Sequence, residues 1–88
     1  MSRHSKSLAR LKARPKDFTW DELASLLRHF GYQEISGNGS RRKFVHEVTK
    51  HKFALHKPHP ENTVKSYVID IALKALIENG LIEEDQYE

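Results

Sequence analysis

The sequence predicts one α+β domain, a three-stranded antiparallel sheet with helices packed on one of its faces. Three observations lead to this. Two stripes of apolar residues at helical spacing flank a central region that alternates with period two. A capping-box pattern opens the first long stripe, and a glycine follows the end of each. The chain has 88 residues, enough for one domain with a thin core and not for two. The predicted order is α-α-β-β-β-α, with a short first helix.

Residues 5–14 carry Leu8 and Leu11 at helical spacing among cations and read as a short basic helix. Pro15 ends it, because the residue before a proline is pushed out of the helical region. In Thr19-Trp20-Asp21-Glu22, Thr19 can accept from the third helical amide while Glu22 reaches back, and Phe18 can staple onto Leu23. Leu23, Leu26, Leu27 and Phe30 follow on one stripe, giving a helix over about 19–30 that Gly31 stops. Tyr32 to Ile35 is a strand, and 36–40 is a loop by composition. Arg41 to Val48 alternates, with Arg42, Phe44 and His46 on one face and Arg41, Lys43 and Val45 on the other. Thr49-Lys50-His51 turns the chain, and Lys52 to His56 alternates again with Phe53 and Leu55 inward. After the proline-stiffened loop 57–62, Thr63 is placed to cap a helix over about 64–79, which Gly80 ends. Leu81 and Ile82 then fold back on the core.

Charge is distributed unevenly. The net formal charge is only +3. Between 41 and 59, however, Arg41, Arg42, Lys43, Lys50, Lys52 and Lys57 face a single acid, Glu47, and His46, His51, His56 and His59 lie among them. This bias predicts a polyanion-binding face on the uncovered side of the sheet. The organisation is then a basic N-terminal extension over 1–16, the main domain over 17–82 and an acidic tail over 83–88. There is no cysteine, which removes disulfides, thiolate metal sites and thiol nucleophiles. No apolar run approaches a membrane span, and Met1 to Leu11 lacks the apolar stretch of a signal peptide. The expected location is the cytoplasm, with no contact to a membrane.

Phe30-Gly31-Tyr32, Gly39-Ser40-Arg41-Arg42, Leu55-His56-Lys57-Pro58-His59-Pro60 and Leu76-Ile77-Glu78-Asn79-Gly80-Leu81-Ile82 follow one another in an order and spacing that resembles the HicA family, over about residues 17–82. The resemblance implies a double-stranded-RNA-binding-domain-like fold (dsRBD-like), a toxin that cleaves mRNA, and a HicB-like antitoxin partner that holds it inactive. The family places its catalytic histidine directly after Gly-Ser and often a second histidine next. This sequence has Arg41 and Arg42 there. Family members often carry histidine in the later Pro-containing loop.

RNA cleavage without a metal uses the ribose 2′-OH as nucleophile. It needs a base, an acid and a cation for the developing phosphorane charge. Imidazole suits both proton transfers, because it titrates near neutral pH. Arginine cannot serve as the base, but it clamps phosphate well. The proton transfers are therefore assigned to His56 and His59, and the RNA contacts to Arg41, Arg42, Lys43, Lys52 and Lys57. Arg41 and Lys43 share a face, whereas Arg42 has the other parity. His46 has the packed-face parity of Phe44 and reads as structural. His51 and His29 read as surface residues, and His4 lies in the end segment. Trp20 and Tyr67 could stack on bases, but their places in the apolar stripes favour packing. His56 and His59 have no third partner of matching spacing, so neither a metal nor another cofactor is expected.

Two other readings fit the same residues. One is an RNA-binding module of this fold that does not cleave, in keeping with Arg41 at the histidine position. The other is a protein-interaction domain whose basic face meets an acidic partner.

Overall fold

The computed structural model describes residues 3–37 and 39–83, with side chains from Lys6 onward. Asn38 of the predicted loop, the side chain of His4 and the tail from 84 on lie outside the described residues. Helices α1 (Arg3–Ala13) and α2 (Trp20–His29) precede strands β1 (Tyr32–Ser36), β2 (Arg41–His46) and β3 (Lys52–His56), and α3 (Ser66–Glu78) closes the chain. The strands form one antiparallel sheet in the order β1-β2-β3. This is the predicted α+β, dsRBD-like arrangement.

Helix α2 starts where the capping box places it. The Glu22 amide donates to Thr19 Oγ1 at 3.2 Å, and the Thr19 amide donates to Glu22 Oε1 at 3.2 Å. Its stripe of Leu23, Ala24, Leu26 and Leu27 is buried, together with Phe18 and Trp20. On the packed face of the sheet, Phe44 and Phe53 stack at 5.5 Å, Tyr32 meets Phe53 edge-on at 5.2 Å, and Trp20 joins Phe44 at 5.9 Å. Helix α3 adds Val68, Ile69, Ala72, Leu73 and Leu76 to the same core, and Leu81 and Ile82 pack against it as expected.

Helix α1 rests on α2 and α3. Leu11 is fully buried in the common core, which is worth about 1.5–3 kcal/mol. The Arg14–Asp70 ion pair is more than half exposed on both sides, and exposed pairs contribute about 0–1 kcal/mol. Leucine burial therefore dominates the docking. Arg14, ahead of Pro15, turns into the left-handed region at φ 53° and ends the helix.

Helix α1 starts at Arg3 rather than residue 5 and β1 runs through Ser36, and two further boundaries differ from the sequence reading for reasons the contacts show. Strand β2 stops at His46, not Val48, because the His46 ring draws the Val48 and Thr49 amides into a turn at 3.1 and 3.2 Å. Thr63 does not cap α3. That helix begins at Ser66, with Lys65 at the cap position and no side chain bonded to its first amides. Thr63 instead pairs with Thr19 in an antiparallel bridge. The Trp20 amide donates to Asn62 O at 2.8 Å, and the Val64 amide to Phe18 O at 2.9 Å. These bonds hold 62–64 extended, a shape that a first helical turn would break.

Candidate nucleic-acid interface

Alternation assigns each strand residue to a face. The register opposes Arg41 to His56, Lys43 to Ala54 and Val45 to Lys52, and on the other side of β2 it opposes Lys43 to Ile35 and Val45 to Gln33. These residues make up the face that the helices leave uncovered. It carries Arg41, Lys43, Lys52 and His56, all exposed, and no carboxylate. Ile35 is exposed beside Lys43. The surface is therefore cationic with an aliphatic centre, as the clustering of charge predicted.

Arg42 projects to the other side. Its Nη1 donates to Gly39 O and Arg41 O, each at 2.9 Å, and its Nε lies 3.7 Å from Glu34 Oε2. The guanidinium thus braces the loop before β2 and is shielded, with the side chain 19% exposed. The structure separates it from Arg41, Lys43 and Lys52.

His56 also borders a second feature. Beyond β3 the chain forms a cleft of about 330 Å³, lined by residues 56–61, with His56, Lys57 and His59 beside one carboxylate, Glu61, and closed by Val64, Lys65, Tyr67 and Val68 at the start of α3. The Lys57 amide donates to Ser40 O at 2.8 Å, which ties the cleft to the loop before Arg41. The His59–Pro60 peptide is cis. Both histidines are exposed, so their rings are accessible to a ligand. The uncapped start of α3 adds the partial positive charge of a helix N-terminus to a cleft already lined by Lys57 and Lys65.

The other histidines are placed differently. His46 is buried, with Nε2 donating to Phe30 O at 2.9 Å and Nδ1 accepting from the two turn amides. These bonds call for the Nε2–H tautomer, and the role is structural, as its parity suggested. His51, expected on the surface, is half-buried. Its Nδ1 meets the Tyr32 hydroxyl at 2.9 Å, and its Nε2 lies 3.7 Å from Glu78. Asn79 Nδ2 donates to the same hydroxyl at 3.2 Å. His29 lies exposed on α2. Trp20 is core, whereas Tyr67 is 53% exposed, which corrects its assignment to packing. Glu61 and Lys65 line the cleft without having been assigned to the site from the sequence, and Tyr67, weighed there for base stacking but given to packing, lines it too. The signal for Tyr67 was its spacing with Ile71, Lys74 and Glu78, a stripe whose charged end marks the outer face of α3.

Among the described residues, no group of three or more His, Asp or Glu side chains is placed to hold a metal ion, and no helix is long and apolar enough to cross a membrane. No curated protein and no solved structure matches the chain. The sequence profile of one family, described as the HicA toxin of bacterial toxin–antitoxin, matches residues 20–80. That span runs from the start of α2 through the sheet, the cleft and α3, and such a family implies an antitoxin partner. The chain belongs to the HicA toxin family of bacterial toxin–antitoxin systems.

Proposed function

We propose that this toxin binds RNA on its open sheet face and cleaves mRNA by metal-independent attack of a ribose 2′-OH, in the cytoplasm, under the control of a HicB-like antitoxin. The observation that carries the reading is the opposition of Arg41 and His56 across β2 and β3, on a face without carboxylates and at the mouth of the cleft that holds His59.

Arg41 contacts the scissile phosphate and stabilises the charge that gathers on its oxygens. One of His56 and His59 takes the proton from the 2′-OH. The 2′-oxygen bonds to phosphorus, the bond from phosphorus to the 5′-oxygen breaks, and the other histidine protonates that 5′-oxygen. The products are a 2′,3′-cyclic phosphate and a 5′-hydroxyl. Lys43, Lys52 and Lys57 hold flanking phosphates. Arg42 orders the loop that presents Arg41. Arg41 at the position where the family carries histidine favours a second reading, an RNA-binding member that does not cleave.

The test is cleavage of mRNA by the purified chain, with and without a chelator, across pH. The first reading expects chelator-resistant cleavage with a bell-shaped pH profile, lowered about 10²–10⁴-fold by His56→Ala or His59→Ala. Undiminished cleavage by both variants would overturn the histidine assignment. RNA binding that weakens steeply with salt, without cleavage at any pH, would favour the second reading.

A further inference from the structure

We infer that Tyr67 is a stacking platform for one unpaired base, so that the cleft selects single-stranded RNA; the inference rests on the RNA-binding reading above. Among the described residues Tyr67 is the one exposed large aromatic side chain, at 53%. The ring is carried on a 13-residue helix whose opposite side is buried, which gives it a fixed base. It shares the cleft with His56, His59 and Lys57. The aromatic face is half open to water, in a cleft lined by Lys57, Lys65 and one carboxylate, Glu61, and beside two imidazoles.

The chemistry of the proposed step gives the ring a role. Attack by the 2′-oxygen requires that oxygen, the phosphorus and the departing 5′-oxygen to fall in line. A regular A-form stack does not present them so. Splaying a base out of the stack rotates the sugar, and an aromatic ring holds the splayed base without reading its sequence. A strand with one phosphate at Arg41 and His56 can send the adjacent base into the cleft against Tyr67. At about 330 Å³ the cleft suits a single nucleotide rather than a paired helix.

The experiment uses the full chain and a short single-stranded RNA carrying 2′-O-methyl groups, which lacks the nucleophile, and one 2-aminopurine as a stacking reporter. Wild type should bind it and quench the reporter. Tyr67→Ala should bind at least about fivefold more weakly and lose the quenching, with melting temperature and salt dependence unchanged. Tyr67→Phe, which keeps the ring, should behave as wild type. Failure of wild type to bind any RNA would overturn the RNA reading itself. RNA binding by Tyr67→Ala equal to wild type would overturn the stacking role alone, and a simultaneous loss of neutralisation by the antitoxin would reassign the ring to a protein contact. Equal weakening in Tyr67→Phe and Tyr67→Ala would also overturn it, since the hydroxyl would then be the group that matters.

Discussion

The ring of His46 lies against Gly31: a Cβ added at Gly31 would come within 2.8 Å of His46 Nε2, the nitrogen that donates to Phe30 O. The turn from α2 into β1 and the end of β2 therefore meet at a point with no room for a side chain. Gly31 also has φ +101°, which L residues rarely adopt. Gly31→Ala should destabilise by about 1–3 kcal/mol from backbone strain alone, and further because His46 must move. Gly39→Ala is the control, since Gly39 has φ +60° but no atom within 4 Å of an added Cβ. It should cost only about 1–2 kcal/mol. Thermal or urea unfolding of the two variants measures the difference, and equal losses would show that the His46 ring imposes no constraint.

Arg41 and Arg42 are adjacent in sequence but should separate by experiment. Arg41 is exposed on the open face, so Arg41→Ala should leave stability within about 0.5 kcal/mol. It should lower RNA affinity and reduce the slope of log affinity against log salt by about 0.7, the value for one phosphate of a single strand left without its cation. Arg42→Ala should do the reverse, because its bonds to Gly39 O and Arg41 O hold the loop. A fall of about 0.5–1.5 kcal/mol in unfolding free energy is expected, with the salt slope kept. Salt titrations of binding alongside denaturation of both variants check this, and a reduced salt slope in Arg42→Ala would return that residue to the binding face.

Tyr32 makes a pH prediction. Burial raises its hydroxyl above the ordinary tyrosine value of 10.0; the Asn79 hydrogen bond opposes the shift, and the charge of Glu78 adds to it. The folded state thus holds the proton more tightly than the unfolded chain. The resulting stabilisation is fully present below pH 10.0 and is lost as pH rises through the higher folded value. Tyr32→Phe should cost about 0.5–1.5 kcal/mol at neutral pH, because the hydrogen bonds to His51 and Asn79 go with the hydroxyl. It should also flatten the alkaline fall. Melting temperature against pH for both proteins tests it, and parallel alkaline falls would place that titration elsewhere.

Local signals carried most of the fold. The Thr19–Glu22 box, the parity of Phe44 and His46 and the stop at Gly31 each depend on neighbours a few residues away, and each is found as predicted. The charge cluster likewise located the open face. What stayed hidden depends on distant pairing. Thr63 has the side chain of a cap, but its backbone is claimed by Thr19, 44 positions earlier. His51 reads as a turn residue until Tyr32 and Glu78 arrive beside it from β1 and α3. Arg42 matches Arg41 in charge, and only the loop carbonyls tell them apart. The opposition of Arg41 and His56 needed the β2–β3 register, which a one-residue slip would have reversed.

The antiparallel bridge between Thr19 and Thr63 has a genetic consequence. The segment bearing His59 is fastened at one end by Lys57 to Ser40 and at the other by the bonds of Asn62 and Val64 to Trp20 and Phe18. On the proposed reading, escape from this toxin is open to more alleles than the histidines offer. Survivors of its expression should include lesions around residues 18–20, which lie far from the histidines in sequence and are joined to the end of the cleft segment by two backbone hydrogen bonds.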